Sequence, residues 1–412
     1  MFGEAGNGGG LIRIVAQVLN LAGAIKADGE TPTFYGAGSG GGIRIDVGTL
    51  NGTGRITANA GNGQRDNGGG GGGGRIAIYY QNAAGFDFNR ITAFGGIGRD
   101  APNGGAGTVP GRENGELIAD NNNLAAVTQS TPIPPTPTGL SAFTNLRVKR
   151  AARVRVDDQT NLTGTLEVSF GAEFISAKRV LASTIDVNNG GIVTHLFTTS
   201  SASFKVDLSA NTLTVDATSK IDVTALGFLG GGKPGNPFPG NPFNNSGMTV
   251  GFERGSTGRS GGSYGGLGGS SGEGSASPVY GDFRDPNEPG SGGASFSGPA
   301  GNGGGLIRIV AQTLNLDGII KADGETPGLF GAGSGGGVRI DVGTLRGTGQ
   351  ITANGGTGQP DSGGGGGGGR VAIYYQDAVG FDLTRVTALG GPGSGPPNGQ
   401  DGSVITQQQA FP

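Results

Sequence analysis

The chain has 412 residues, of which 93 are glycine and 21 proline, with no cysteine and a formal net charge of −3. So small a charge argues against nucleic acid, acidic lipid or any strongly charged partner, and the missing cysteine excludes a disulfide framework and thiolate metal sites. With only 33% hydrophobic residues, an aperiodic chain this rich in glycine and proline would be disordered.

The sequence is periodic, however. Residues 3–109 recur as 298–404 without insertion, and within each copy triple glycines end at an even spacing of 32 residues: Gly10, Gly42 and Gly74, then Gly305, Gly337 and Gly369. A fixed short period marks a solenoid. Its coils need only a thin apolar seam, because backbone ladders between coils satisfy the polar groups. No run approaches eighteen apolar residues, so no membrane span is expected. Met1-Phe2-Gly3-Glu4-Ala5-Gly6 lacks the basic and apolar regions of a signal peptide. It opens almost where a repeat copy opens, which reads as a fragment or mature piece of a longer array.

In chain order, residues 1–109 form a first glycine-rich module of three similar units. Each has a glycine tract followed by a strand: Leu11-Ile12-Arg13-Ile14-Val15, Ile43-Arg44-Ile45-Asp46-Val47, or Arg75-Ile76-Ala77-Ile78-Tyr79-Tyr80. After a turn such as Asn51-Gly52, a second short strand follows: Ala24-Ile25-Lys26-Ala27, Arg55-Ile56-Thr57-Ala58 or Arg90-Ile91-Thr92-Ala93. Alternation of isoleucine with polar residues is the period of a strand with one buried face. No window has a capped helical rhythm, so almost no helix is expected. Between the copies, Ile43 becomes Val338, Ile76 becomes Val371, Phe88 becomes Leu383 and Phe94 becomes Leu389, the swaps an inward face tolerates. Asn51 becomes Arg346 and Arg55 becomes Gln350, as an outward face would allow.

Residues 110–145, with Asp120-Asn121-Asn122-Asn123 and Pro132-Ile133-Pro134-Pro135-Thr136-Pro137, read as a surface linker. Residues 146–226 lose the glycine and predict smaller β-coils, and residues 227–297 predict Gly/Ser/Pro-rich excursions lying on the solenoid, including the run Asn236 to Phe243. Residues 298–412 are the second glycine-rich module. The tracts Gly68–Gly74 and Gly363–Gly369 are either flexible loops or ordered, extended arms, since only glycine lets three-residue-per-turn chains pack closely. Their equal length in both copies favours order.

Several chemistries can be weighed. Gly230-Gly231-Gly232-Lys233 runs into Pro234, without the Ser or Thr of a nucleotide loop. Gly95-Gly96-Ile97-Gly98-Arg99-Asp100 matches the start of a calcium β-roll repeat, yet its copy has Gly395 in place of Asp100. Asp28 and Glu30 recur as Asp323 and Glu325. Two carboxylates in a tight turn make calcium a candidate cofactor, against the alternative of a polar turn kept for its Asp-Gly geometry. His195 is the only histidine, which removes histidine cages and Cys/His dyads. Asp157-Asp158 is the acidic pair to inspect for glycoside chemistry. A solvated turn is the plainer reading, and no enzyme is expected. Tyr79-Tyr80 and Tyr374-Tyr375 place one tyrosine on each strand face, for packing over the glycine arms, for assembly or for stacking on sugars.

The alternation of Gly-Gly-Gly, Ile-Arg-Ile-Asp-Val, Asn-Gly-Thr-Gly and Ile-Thr-Ala-Asn, ending in Gly-Gly-Arg-Ile-Ala-Ile-Tyr-Tyr, resembles the glycine-rich repeats of very large secreted bacterial surface proteins: adhesins, sheath proteins and extracellular filaments. The glycine tracts also resemble polyglycine II proteins. The resemblance implies an extracellular or cell-surface, non-catalytic role. The expectation is therefore an all-β, parallel β-solenoid with glycine-rich arms, advancing roughly 60 Å over about a dozen coils. It would assemble with copies of itself as a structural repeat of a filament, sheath or stalk. The alternatives are an adhesin binding surface glycans, an ice-binding solenoid and a carbohydrate-active β-helix.

Overall fold

A computed structural model describes the chain except residues 1–3, 66, 84, 112–114, 126–127, 134–142, 237–245, 251–254, 360–362, 396 and 412. It divides into two compact units, Met1–Ile175 with Ala182–Ile192, and Ser176–Leu181 with Val193–Pro412. The first unit carries β1 (Leu11–Asn20), β2 (Ala24–Lys26), β3 (Gly42–Asn51), β4 (Arg55–Thr57), β5 (Arg75–Asn82), β6 (Ile91–Thr92), β7 (Thr108–Pro110) and β8 (Glu116–Asp120). It continues with β9 (Thr131–Ile133), β10 (Asn145–Lys149), β11 (Arg153–Val156), β12 (Thr160–Asn161), β13 (Thr165–Ser169) and nearly all of β14 (Glu173–Ser176) and β15 (Val180–Asn188). The second carries nearly all of β16 (Ile192–His195), then β17 (Val206–Val215), β18 (Lys220–Asp222), β19 (Leu306–Leu316), β20 (Ile319–Lys321) and β21 (Gly337–Arg346). Its last strands are β22 (Gln350–Thr352), β23 (Arg370–Val379), β24 (Val386–Thr387) and β25 (Ser403–Gln408).

The fold is nearly all-β, with large parallel sheets. In the first unit β1, β3 and β5 pair in parallel, and β2, β4 and β6 make a second, shorter parallel ladder. The second unit lays out β17, β19, β21, β23 and β25 in one parallel ladder and β18, β20, β22 and β24 in another. Among the described residues the helical elements are short 3-10 turns, at Phe88–Arg90 and again at Leu383–Arg385. Asp87 and Asp382 start them by accepting from Asn89 N and Thr384 N, the usual work of a capping carboxylate.

Register explains why the repeat tolerates so little apolar content. Ile12 lies opposite Ile43 and Ile14 opposite Ile45, while Ile43 and Ile45 lie opposite Ile76 and Ile78. Like residues therefore stack into a continuous seam with Leu21, Leu50, Ile56 and Ile91. The spacing is not uniform: Leu11 meets Gly42, 31 residues on, whereas Gly42 meets Arg75, 33 residues on. The even 32-residue glycine spacing is the mean of two unequal steps, and the second unit repeats them. Gly52 and Gly347 hold the turns after the long strands with φ of 108° and 110°, a region costly for any side chain.

Three expectations change. The swap of Phe94 for Leu389 suggests an inward face, but Leu389 is exposed and Phe94 half-buried under the Arg150 guanidinium. Ala93 and Ala388 take the buried position, and adjacent residues cannot share a face. The segment 110–145, expected as a linker, contributes β8, antiparallel to β7 and parallel to β10, and β9, parallel to β11. Pro132 is tolerated because β9 ends its ladder. Asn121, in the polar run expected at the surface, is fully buried; its side chain accepts from Gly95 N and donates to Gly104 O and Leu124 O. Residues 255–297 lie closely on the second module, with Ser256, Ser260, Ser263, Tyr264, Ser291 and Ser295 fully buried. Most of the Asn236–Phe243 run lies outside the described residues, as does the polyproline run from Pro134 to Pro137.

Candidate functional site

The glycine tracts are ordered by their own amides. In Gly68–Gly74 the donors turn through three directions. Gly68, Gly71 and Gly74 donate to Gln64 O, Gly61 O and Ala58 O at 3.1, 3.2 and 2.8 Å. Gly70 and Gly73 donate to Pro102 O and Gly105 O of the next tract at 3.2 and 2.9 Å. Gly69 and Gly72 have no acceptor among the described residues. A three-residue rotation is what a left-handed extended helix with three residues per turn imposes.

In Gly363–Gly369 the same rotation recurs and the outward amides also find acceptors, although Gly365 N has none among the described residues. Gly363, Gly366 and Gly369 donate to Gln359 O, Gly356 O and Ala353 O, and Gly368 to Gln400 O. The outward pair, Gly364 and Gly367, donates to Arg259 O and Gly262 O at 2.8 and 2.9 Å. The acceptors belong to residues 255–297, which we term the strap. Ser334 N donates to Ser291 O at 3.0 Å and Gly331 N to Ala294 O at 3.1 Å, also in the strap. The equivalent amide of Ser39 has no partner among the described residues.

The strap also occupies the outer sheet face. Asp285 lies 3.3 Å from Arg308 and 2.8 Å from Arg339. Tyr374 donates its hydroxyl to Arg284 O at 2.8 Å, and Arg370 Nε donates to Tyr280 O at 2.9 Å beneath the Tyr264 ring. Hydrogen bonding to Asp341 first, and then Asp285, holds the Arg339 guanidinium charge above its ordinary pKa, partly opposed by burial. Burial pushes the Tyr264 and Tyr280 hydroxyls up as well, so both stay neutral donors.

The tyrosines expected on the two faces separate accordingly. Tyr80 packs against the first core, with Phe88 5.4 Å away between ring centroids. Tyr375 is half-buried. Tyr79 is 56% exposed with Arg44 over its ring at 5.0 Å, whereas its equivalent Tyr374 is 7% exposed beneath the strap.

The paired carboxylates are engaged in protein hydrogen bonds. Asp28 accepts from Thr57 Oγ1 and Asn59 N, each at 2.9 Å. Glu30 accepts from Asn7 N and Asn7 Nδ2 at 2.9 and 2.8 Å. Asp323 accepts from Asn354 N at 2.7 Å with Lys321 3.3 Å away, and Glu325 takes Lys233 at 2.8 Å and Asn302 N. Among the described residues no cluster of three or more His, Cys, Asp or Glu side chains is set to hold a metal. Asp157 pairs with Arg155 at 2.9 Å, and Asp158 is exposed.

His195 is 2% exposed. Its Nδ1 lies 2.6 Å from Leu196 O, and Leu306 N donates to Nε2 at 3.2 Å, which sets the neutral tautomer with the proton on Nδ1. Burial lowers its pKa to about 4, against a smaller opposing pull from Leu196 O. It is a structural plug beside Gly305, where a Cβ would lie 2.3 Å from Nε2.

Sequence reasoning missed the asparagine staples. Asn59 Oδ1 accepts from Phe94 N, and Asn354 Oδ1 from Leu389 N, each at 2.8 Å. Their signal was present: Ile-Thr-Ala-Asn keeps its asparagine in both copies. No helix among the described residues is long and apolar enough to cross a membrane. No protein-family model, curated protein or solved structure matches this chain.

Proposed function

We propose that the chain is a non-catalytic structural repeat, a parallel β-solenoid with polyglycine II-like arms that stacks end to end into an extracellular or cell-surface filament, sheath or stalk. The observation that supports this reading is the contrast between β1 and β19. β19 is the copy of β1 and takes β17 as a parallel neighbour on one edge, Val206 opposite Ile307 through Val215 opposite Leu316. Among the described residues β1 pairs with β3 alone, and its Leu11, Val15 and Val18 are exposed. β25, paired with β23 alone, ends the ladder of the second unit. An open parallel edge at each end favours heterologous contact that does not close on itself. Self-association would then satisfy both edges with main-chain hydrogen bonds.

Electron microscopy and sedimentation velocity over a concentration series test it. Filaments or growing oligomers are expected, and Leu11→Lys/Val15→Lys/Val18→Lys should abolish them without unfolding a chain in which all three side chains already face solvent. A strictly monomeric wild-type chain at high concentration would overturn the reading.

A further inference from the structure

We propose that the outer face of the first module, over β1, β3, β5 and the tracts ending at Gly42 and Gly74, is a docking site for a second copy of the strap sequence 255–297, supplied by another repeat. The two modules carry the same residues along this face: Leu11 and Leu306, Arg13 and Arg308, Ser39 and Ser334, Arg44 and Arg339, Gly69 and Gly364, Gly72 and Gly367, Arg75 and Arg370, Tyr79 and Tyr374. In the second module every one of these positions except Leu306 has a polar or ring contact to the strap.

In the first module no strap-like chain meets these positions among the described residues, although Arg75 donates to Pro132 O at 3.5 Å. Leu11 is 86% exposed where Leu306 is 5% exposed, a contrast to which the missing β17-like neighbour also contributes. Arg44 lies inside the ladder, where strand pairing is the same in both modules, so its 54% side-chain exposure against 20% for Arg339 reports the missing strap. At Tyr79 the shorter β5–β7 pairing also contributes, since Tyr374 has Gln407 of β25 opposite it. Leu11, Arg44, Arg75, Ala77 and Tyr79 line an apolar groove of about 670 Å³. Space is reserved at backbone level too: a Cβ at Gly72 meets nothing within 4 Å, whereas one at Gly367 meets Gly266 O of the strap at 2.1 Å.

The chemistry names the occupant. The outward amides of Gly69 and Gly72 need two main-chain carbonyls three residues apart, the part Arg259 O and Gly262 O play for Gly364 and Gly367, and Ser39 needs a further carbonyl, as Ser334 has in Ser291 O. Arg44 already pairs with Asp46 as Arg339 does with Asp341, and a second carboxylate could bridge Arg13 and Arg44 as Asp285 bridges Arg308 and Arg339. A side-chain-rich peptide could not approach, because the strap glycines lie against tract backbone: a Cβ at Gly269 would fall 3.1 Å from Gly365 N. This docking does not depend on end-to-end stacking, since a monomer carries the whole face.

The test is a synthetic peptide of residues 255–297 titrated into the full chain, followed by calorimetry and amide hydrogen exchange. Saturable binding at one peptide per chain is expected. It should bring protection to Ser39, Gly69 and Gly72, whose counterparts Ser334, Gly364 and Gly367 are protected from the start. Arg44→Ala with Tyr79→Ala, or Asp285→Ala in the peptide alone, should weaken binding about tenfold or more. The peptide variant leaves the protein untouched, so loss of fold cannot mimic the result. Absence of binding, binding without protection of those three amides, or indifference to all three substitutions would overturn the proposal.

Discussion

Gly367 donates its amide to Gly262 O at 2.9 Å, and its outward side is closed by the backbone of Gly266. Gly72, its counterpart, faces open space. Gly367→Ala should therefore destabilise the second unit by about 1–3 kcal/mol through overpacking against backbone that cannot yield. Gly72→Ala should change stability by less than about 0.5 kcal/mol. Denaturant midpoints of the two variants check this, and equal losses would show that both outward faces are already filled.

His195 makes stability depend on pH. Burial holds its folded pKa at about 4, below the ordinary histidine value of 6.5, so between those values the unfolded chain takes up the proton that the folded chain refuses. Its contribution is complete above about pH 6.5 and is lost as pH falls toward 4, by roughly 3 kcal/mol at most. His195→Gln should flatten this part of the stability-against-pH curve. An unchanged slope would place the dependence on other groups.

Asn302 and Asn7 are equivalent residues with different burdens. Asn302 is buried; it accepts from Gly230 N at 3.0 Å and donates to Ala225 O at 3.2 Å. Asn7 bonds to Glu30 on an exposed rim. Asn302→Ala would strand the buried Gly230 N and the half-buried Ala225 O and should cost about 2–3 kcal/mol. Asn7→Ala should cost under about 1 kcal/mol. Thermal or denaturant melts of both variants decide.

The four turn carboxylates predict how calcium and its chelators act. Asp28, Glu30, Asp323 and Glu325 already accept from backbone amides, and Lys233 supplies a cation to Glu325. Adding EDTA or millimolar calcium should leave the melting temperature unchanged within about 1 °C, because mass action stabilises only through a site that binds. A calcium-dependent rise of several degrees in wild type, lost in Asp28→Asn/Glu30→Gln, would establish the cation site.

Much of the fold was legible in the chain because β-structure is local in period. The alternation Ile43-Arg44-Ile45-Asp46-Val47 by itself fixes which residues turn inward, and recurrence of residues 3–109 as 298–404 announces stacked units with like residues in register. The glycine tracts had to be ordered or loose; their equal length pointed to order, and the three-way rotation of amides follows from having no side chain to prevent close approach.

Tertiary structure alone decided what covers each module. Leu389 and Phe94 look apolar and therefore internal, yet Ala388 and Ala93 hold the inward position, since facing depends on strand phase rather than residue type. The strap reads as loose Gly/Ser/Pro sequence because its binding is main-chain to main-chain and leaves no side-chain pattern to read. Arg44 and Arg339, or Tyr79 and Tyr374, have the same neighbours in sequence and opposite exposures. Burial belongs to the surface that meets a residue from elsewhere in the chain, and only the folded arrangement says whether that surface is there.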